Sequence, residues 1–571
     1  MENRGLSRRQ WFERMSVPVL GASVGGTLAM RPAPAVAQPA AADEAALKGA
    51  RTYNVRSFGA VGDGKAMDTR AVQAAIDACT RDGGGTVLVP EGTFQMGTVE
   101  LKDNVTLHLA ASATLLGTAD GTQYHAVDAI PLRGDSTLAD GNWALLFAVN
   151  AKNVTIEGAG LIDGQGIQFH SPSRGVAPPS GLGGSRRPYH LLFYRCEHLR
   201  VADVRLWNSA FHSVRVIQSH YVWMTGLHIF NRVNGNNDGF HFISCEYVHV
   251  NGCTVQSQDD ACALFGSCKF ITVTNSTFST RWSVFRFGGG EAENVTVSNC
   301  VLHQVFGCPF KFQGRPGSRY ENMSFSNLIL QDVTGPISIS IGPLEQRPDQ
   351  PVAAGAPAAA SQGAPAIVRN ITFSNVHGTV TTNPPQLPEY PFTSGYRPGE
   401  LHSAIVLNAV GDTILEHITF DDVHLTFGGG GTAEDAHRDV PQVAGEYFVL
   451  GPIPAYGLYA RNARGITLQN VRFQVATPDL RPAIVFDRVS DAAINGLSVQ
   501  ATAAAESVLR FIDSTEVLLT ASRVLTPGPV FLQVEGAASQ GITIDGGDHS
   551  KAARLVAFAK SATPASVKAR I

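Results

Sequence analysis

From about residue 150 onward, short runs of alternating apolar and polar residues recur along the chain. Most open on an aromatic residue, His or Asn, and most close on a Gly or Asn. They read Asn153–Gly158, His198–Asp203, Tyr221–Gly226, Tyr247–Gly252, Phe270–Asn275, Asn294–Asn299 and Asn322–Asn327, with later copies beginning at Asn370, His417 and Gly465. Alternation with a period of two predicts strands. From His198 the copies begin 23, 26, 23, 24 and 28 residues apart, and the next three steps are 48, 47 and 48. A repeat of about two dozen residues holds several short strands and leaves no room for a crossover helix, which predicts a β-solenoid; a propeller blade needs roughly 40–50 residues. The expected fold is all-β, a parallel β-helix whose equivalent strands stack about 4.8 Å apart. The long steps predict either two coils each or one coil carrying a loop.

Three kinds of segment break the pattern. In residues 67–81, Val72, Ala75, Ile76 and Cys79 fall on one helical face, with Asp68 or Thr69 able to cap and Gly83, Gly84 and Gly85 to stop it. This predicts a helix laid over the first coil. Segments 343–366, 380–400 and 427–456, rich in Pro, Ala or Gly, read as long loops that could wall a groove. The tail from Lys551 is expected to be a terminal helix.

Composition agrees with a large β-rich body: charged residues are 16% and glycines number 58. A net charge of −4 supplies no basic excess for phosphates, so nucleic acid is not an expected partner. Residues 1–37 resemble an export signal of the twin-arginine type. Ser7-Arg8-Arg9-Gln10-Trp11-Phe12 precedes a mild apolar run from Met15 to Met30 and a small-residue cleavage site at Ala35-Val36-Ala37. That run is too short for a stable membrane span. Removing residues 1–37, with their five Arg and two Glu, leaves a charge of about −7. The reading is then a linker over 38–51, a catalytic β-helix over 52–571, and a periplasmic or secreted product with no membrane span. Of the eight cysteines, seven lie between Cys196 and Cys308 with no CxxC pair; they suit either disulfides or stacked buried thiols.

The candidate chemistry lies at Asn236-Asn237-Asp238-Gly239 and Gln258-Asp259-Asp260-Ala261-Cys262. Asp238 and Asp259 are 21 residues apart, close to one coil, so they are expected on neighbouring strands with Asp260 beside them. Three clustered carboxylates repel, which holds at least one proton above the usual Asp pKa of about 3.9. Glycoside hydrolysis needs that pairing of a protonated acid with an ionised base. Each motif alone is an ordinary turn sequence. Downstream, Arg281, Arg286, Lys311 and Arg315 could recognise a carboxylate or simply neutralise the acids. His241 is a candidate substrate contact, and Trp207 and Trp282 could stack on sugars or pack in the core. Two other readings stay open: a lyase or epimerase using Ca²⁺ at the acids with Lys311 or Arg281 as base, and a non-catalytic carbohydrate-binding β-helix.

The run from Trp207-Asn208-Ser209 through Asn236-Asn237-Asp238-Gly239 to Asp259-Asp260-Ala261-Cys262 resembles glycoside hydrolase family 28, the polygalacturonase family. Arg187-Pro188 before His190 and the opening Phe58-Gly59-Ala60-Val61-Gly62-Asp63-Gly64 are similar too, the latter to pectin-lyase-like β-helices at large. The resemblance covers most of 52–335, and Pro454–Tyr459 is similar to bacterial members. It implies an inverting hydrolase of a galacturonate-containing polysaccharide or oligosaccharide, with Asp259 as general acid and Asp238 and Asp260 activating water. It implies a right-handed coil, substrate contacts at Asn236 and Lys311, and no metal or organic cofactor; Arg281, Arg286 and His241 are added as substrate-binding candidates from their own positions near the acids. There are departures. The family's Gly-His-Gly falls near Arg281-Trp282-Ser283-Val284, where no histidine stands, and its Arg-Ile-Lys aligns with Pro309-Phe310-Lys311.

Overall fold

The residues that open the recurring phrases turn the corners of a coil. Asn104, Asn153, His198, Tyr221, Tyr247, Phe270, Asn294, Asn322, Asn370 and His417 all have φ between 51° and 60°. This left-handed conformation suits Asn and is costly for bulky side chains. The bulky ones are held by stacking: His198 on Tyr221 at 5.0 Å, Tyr221 on Tyr247 at 5.0 Å and Tyr247 on Phe270 at 4.9 Å. The asparagines build amide ladders instead, as where Asn370 Nδ2 donates to Asn322 Oδ1 at 3.1 Å and Asn375 Nδ2 to Asn327 Oδ1 at 2.8 Å.

The computed structural model describes residues 50–128, 130, 142–170, 183, 186–343, 363–385 and 396–570. The export-signal segment lies outside them, as do residues 344–362 and 386–395 of two expected loops. Within the described residues 39 strands join in one sheet system, and its strand ladders are parallel. The architecture is a parallel β-helix. Val222, Val248, Ile271, Val295, Met323, Ile371 and Ile418 succeed one another in register along the buried interior. A single apolar core runs from Tyr53 to Ile544. No helix among the described residues is long and apolar enough to cross a membrane.

Each long step is one coil with an insertion, because Tyr320 pairs directly with Val368, Phe373 with Phe420 and Thr419 with Thr467. The helix Thr69–Arg81 forms with Val72, Ala75, Ile76 and Cys79 buried, and packs on the strands Thr52–Asn54 and Gly85–Val89. Asp68 stands at its N-cap position, but its carboxylate accepts from Val61 N at 2.6 Å and Gly62 N at 3.0 Å. The expected terminal helix is wrong. Ala552–Ala559 and Val567–Arg570 are strands, because the preceding strands offer an in-register edge for their backbones. All eight cysteines are free and buried.

Two apolar patches cover parts of the outer sheet face. Early coils are covered around Tyr189, Phe211, Ile217 and Ile243. Late coils are covered by the 427–456 segment, which holds the short helices Ala433–His437 and Tyr447–Leu450 and packs through Val440, Tyr447 and Leu450 against Val406 and Tyr459. Between the patches that face is polar.

Candidate active site

The polar stretch is carried by the stacked strands Val214–Ile217, Phe240–Ile243, Cys262–Thr274, Ser283–Val305 and Cys308–Gly314. Phe240, Cys262, Phe285 and Phe310 share one line of register. Two residues earlier on each strand, Asp238, Asp260, Ser283 and Cys308 therefore come abreast. The partner of Asp238 is thus Asp260, and Asp259 stands one residue back, a shift from the pairing that the spacing suggested. Gly239 makes the approach possible: a Cβ there would lie 2.5 Å from Ala261 O, and its N–H donates to Asp260 O at 2.9 Å. Asn237 pins the preceding loop, accepting from Val233 N at 3.0 Å and donating to Phe211 O at 2.7 Å.

Asp238 and Asp260 are buried, and Asp259 is half-buried. Asp260 N–H donates to Asp259 Oδ1 at 2.9 Å, Asn236 Nδ2 to Asp259 Oδ2 at 3.4 Å, and the Ser283 hydroxyl to Asp260 Oδ1. Burial, then the charge of Asp260, holds the Asp238 carboxyl well above the usual range. Burial, then Asp238 and Asp260, does the same for Asp259. His241 Nδ1 lies 2.8 Å from Asp238 Oδ2. Burial, then the nearby Arg215, pushes this imidazole down to about 3, so it is neutral across the physiological range.

The expected cations meet different fates. Lys311 Nζ lies 4.0 Å from Asp260 Oδ1 and 3.7 Å from Glu446 Oε2, above the Trp282 ring at 4.9 Å. Ser257 pairs with Thr280 and Cys262 with Phe285, so Trp282 comes abreast of Asp259 and Arg281 does not. Arg281 is buried, donates to Phe306 O at 2.6 Å, lies 3.5 Å from Glu400 Oε1 and covers Tyr396 at 4.2 Å. Arg286 is half-buried beside Lys311 on the ladder, and donates to Gln313 Oε1 at 2.6 Å. Asn236 touches Asp259 and accepts from Arg187 at 3.4 Å. Arg315 is exposed past the end of this ladder. Trp207 lies on another ladder, between Asp163 and Phe230.

His212, Asp238 and His241 bring three ligand atoms within 4.8 Å of one another. The imidazoles of His212 and His241, however, stack at 4.5 Å and 15°. Of the two, only His241 reaches hydrogen-bond distance of Asp238; His212 Nε2 stands 3.6 Å from Asp238 Oδ1, and both of its ring nitrogens are buried without a hydrogen-bond partner among the described residues. Sequence reasoning missed His212, Ser283, Glu400 and Glu446. Ser283 could have been found by extending the register one coil beyond Asp260. The two glutamates sit in the 380–400 and 427–456 segments expected to wall a groove, but no pattern there singles them out.

A family model described as glycosyl hydrolases family 28 matches residues 79–387. A probable polygalacturonase of Vitis vinifera is 29% identical over 38% of this chain and 44% of its own. An exo-poly-alpha-D-galacturonosidase of Dickeya chrysanthemi is 27% identical over 50% of this chain and 56% of its own. The chain thus spans about half the length of these two relatives. Among solved structures, an exopolygalacturonase of Thermotoga maritima superposes with a TM-score of 0.54 at 18% identity, covering 74% of this chain and 92% of that one. A family 28 exopolygalacturonase of Yersinia enterocolitica superposes at 0.56 and 19%, covering 78% of each. These likenesses show the parallel β-helix.

Proposed function

The chain belongs to glycosyl hydrolases family 28, and on that premise we propose that it is an inverting glycosidase acting on a pectic, galacturonate-containing polysaccharide or oligosaccharide. The observation that carries this reading is the register that brings Asp238 abreast of Asp260, with Asp259 adjoining. Asp259, half-buried and held protonated by burial and its neighbours, gives its proton to the leaving oxygen. Asp238 and Asp260 take up the proton of the attacking water, which inverts the anomeric carbon in one displacement. His241 orients Asp238, and Ser283 orients Asp260. Both acid and base are amino-acid side chains, so the reaction as written draws on no cofactor.

The test sets wild type against Asp259→Asn on a panel of pectic polysaccharides, following reducing ends and near-ultraviolet absorbance together. New reducing ends without absorbance are expected, with the variant slower by about 10³-fold or more. Absorbance rising with the reducing ends would mark a lyase. Proton NMR of the first product anomer checks inversion.

A further inference from the structure

Two of the cations expected to bind substrate are already answered from within the protein. Lys311 is 5% exposed and stands between Asp260 and Glu446, 4.0 and 3.7 Å away. Arg281 is 7% exposed and faces Glu400 at 3.5 Å, with a second bond spent on Phe306 O. Glu400 is itself buried, and Glu446 has only 13% of its side chain exposed. A carboxylate entering here would have to displace an anion already in place, and would face Asp238, Asp259 and Asp260 as well.

Arg286 stands on the next rung before Lys311, half-buried, donating to the neutral Gln313 and with Phe265 beneath it at 5.8 Å. Among the described residues, Arg286 faces no carboxylate within ion-pair distance, and neither does Arg215, which stands in the same line of register and donates to the Tyr189 hydroxyl.

We propose that the subsite bordered by Trp282, Lys311 and Arg281 takes a sugar unit without a free carboxylate, and that Glu446 and Glu400 set this selectivity by occupying the cations. The inference rests on the pectic-substrate reading above and names which units of such a chain the site accepts. Plain polygalacturonate is then a poor occupant, and a chain with uncharged units at this position a good one.

Calorimetric binding of trigalacturonate and of its fully methyl-esterified form to the full chain tests this without depending on turnover. The ester is expected to bind on the order of tenfold tighter or more. Glu446→Gln, which leaves Lys311 without that partner, is expected to erase most of the difference, and Glu400→Gln is the second variant should the first not fold. Equal or tighter binding of the free acid by wild type overturns the proposal. So does binding of neither sugar, or an unchanged preference in a variant whose circular dichroism matches wild type. Failure to release reducing ends from any substrate would retire the hydrolase reading and leave the binding preference standing on its own result.

Discussion

At the scale of single residues, the raised carboxyls of Asp238 and Asp259 set a sign for stability as well as for rate. A carboxyl whose folded pKa exceeds its unfolded value near 3.8 helps the fold most below that value. Its contribution is lost as pH rises through the folded pKa. Asp238→Asn and Asp259→Asn are therefore expected to melt a few degrees above wild type at pH 7, with the gap closing toward pH 4. Thermal melts across that range check it. Activity is expected to fall on the alkaline side as Asp259 loses its proton, giving a bell-shaped profile whose upper limb disappears in Asp259→Asn. The acids were legible in the sequence because Asn-Asp-Gly and Asp-Asp recur one coil apart. The exact partner of Asp238 was not, because the loop from Arg232 to Asp238 is longer than its counterpart on the next coil, and spacing alone misplaces the pair by one residue. Arg281 was misplaced by the same one-residue error.

At the scale of elements, the corners do as much as the strands to hold the coil. Asn327 sits at φ 54°, donates to Asn299 at 3.0 Å and accepts from Asn375 at 2.8 Å. Asn327→Ala removes two bonds and leaves a Cβ in the left-handed region, so a loss of about 1–3 kcal/mol is expected. Asn327→Gly loses the bonds alone and is expected to cost less. Urea midpoints of the two variants separate these effects. Gly239→Ala drives a methyl into Ala261 O, and is expected to lower both stability and activity because the strands beneath Asp238 and Asp260 must part. Strands and corners were readable because alternation and Asn or aromatic openings repeat. The tail after Lys551 misled because its Ala and Lys content favours a helix in isolation, while the exposed edge of the preceding coil offers backbone partners that an isolated segment lacks.

At the scale of the whole molecule, one continuous core and eight buried free thiols make a further expectation. Native protein should react with a thiol reagent at close to none of its cysteines and, in denaturant, at all eight. Reducing agent should leave the melting temperature unchanged. Early labelling or a reductant-sensitive melt would mean that the thiols are accessible or bridged.

The insertions that interrupt the coil spacing have one more consequence. Stacking needs only that successive strands meet in register, and lengthening a corner costs little, about 0.6 kcal/mol per doubling of a flexible loop. Glu400 and Glu446 both ride on such inserted chain, beyond residue 387 where the family match ends. The acids that would break the bond belong to the repeating frame, while the groups that would choose the sugar belong to its detachable margin. Such a division lets a lineage change its diet by rewriting loops, without reopening the problem of how to fold.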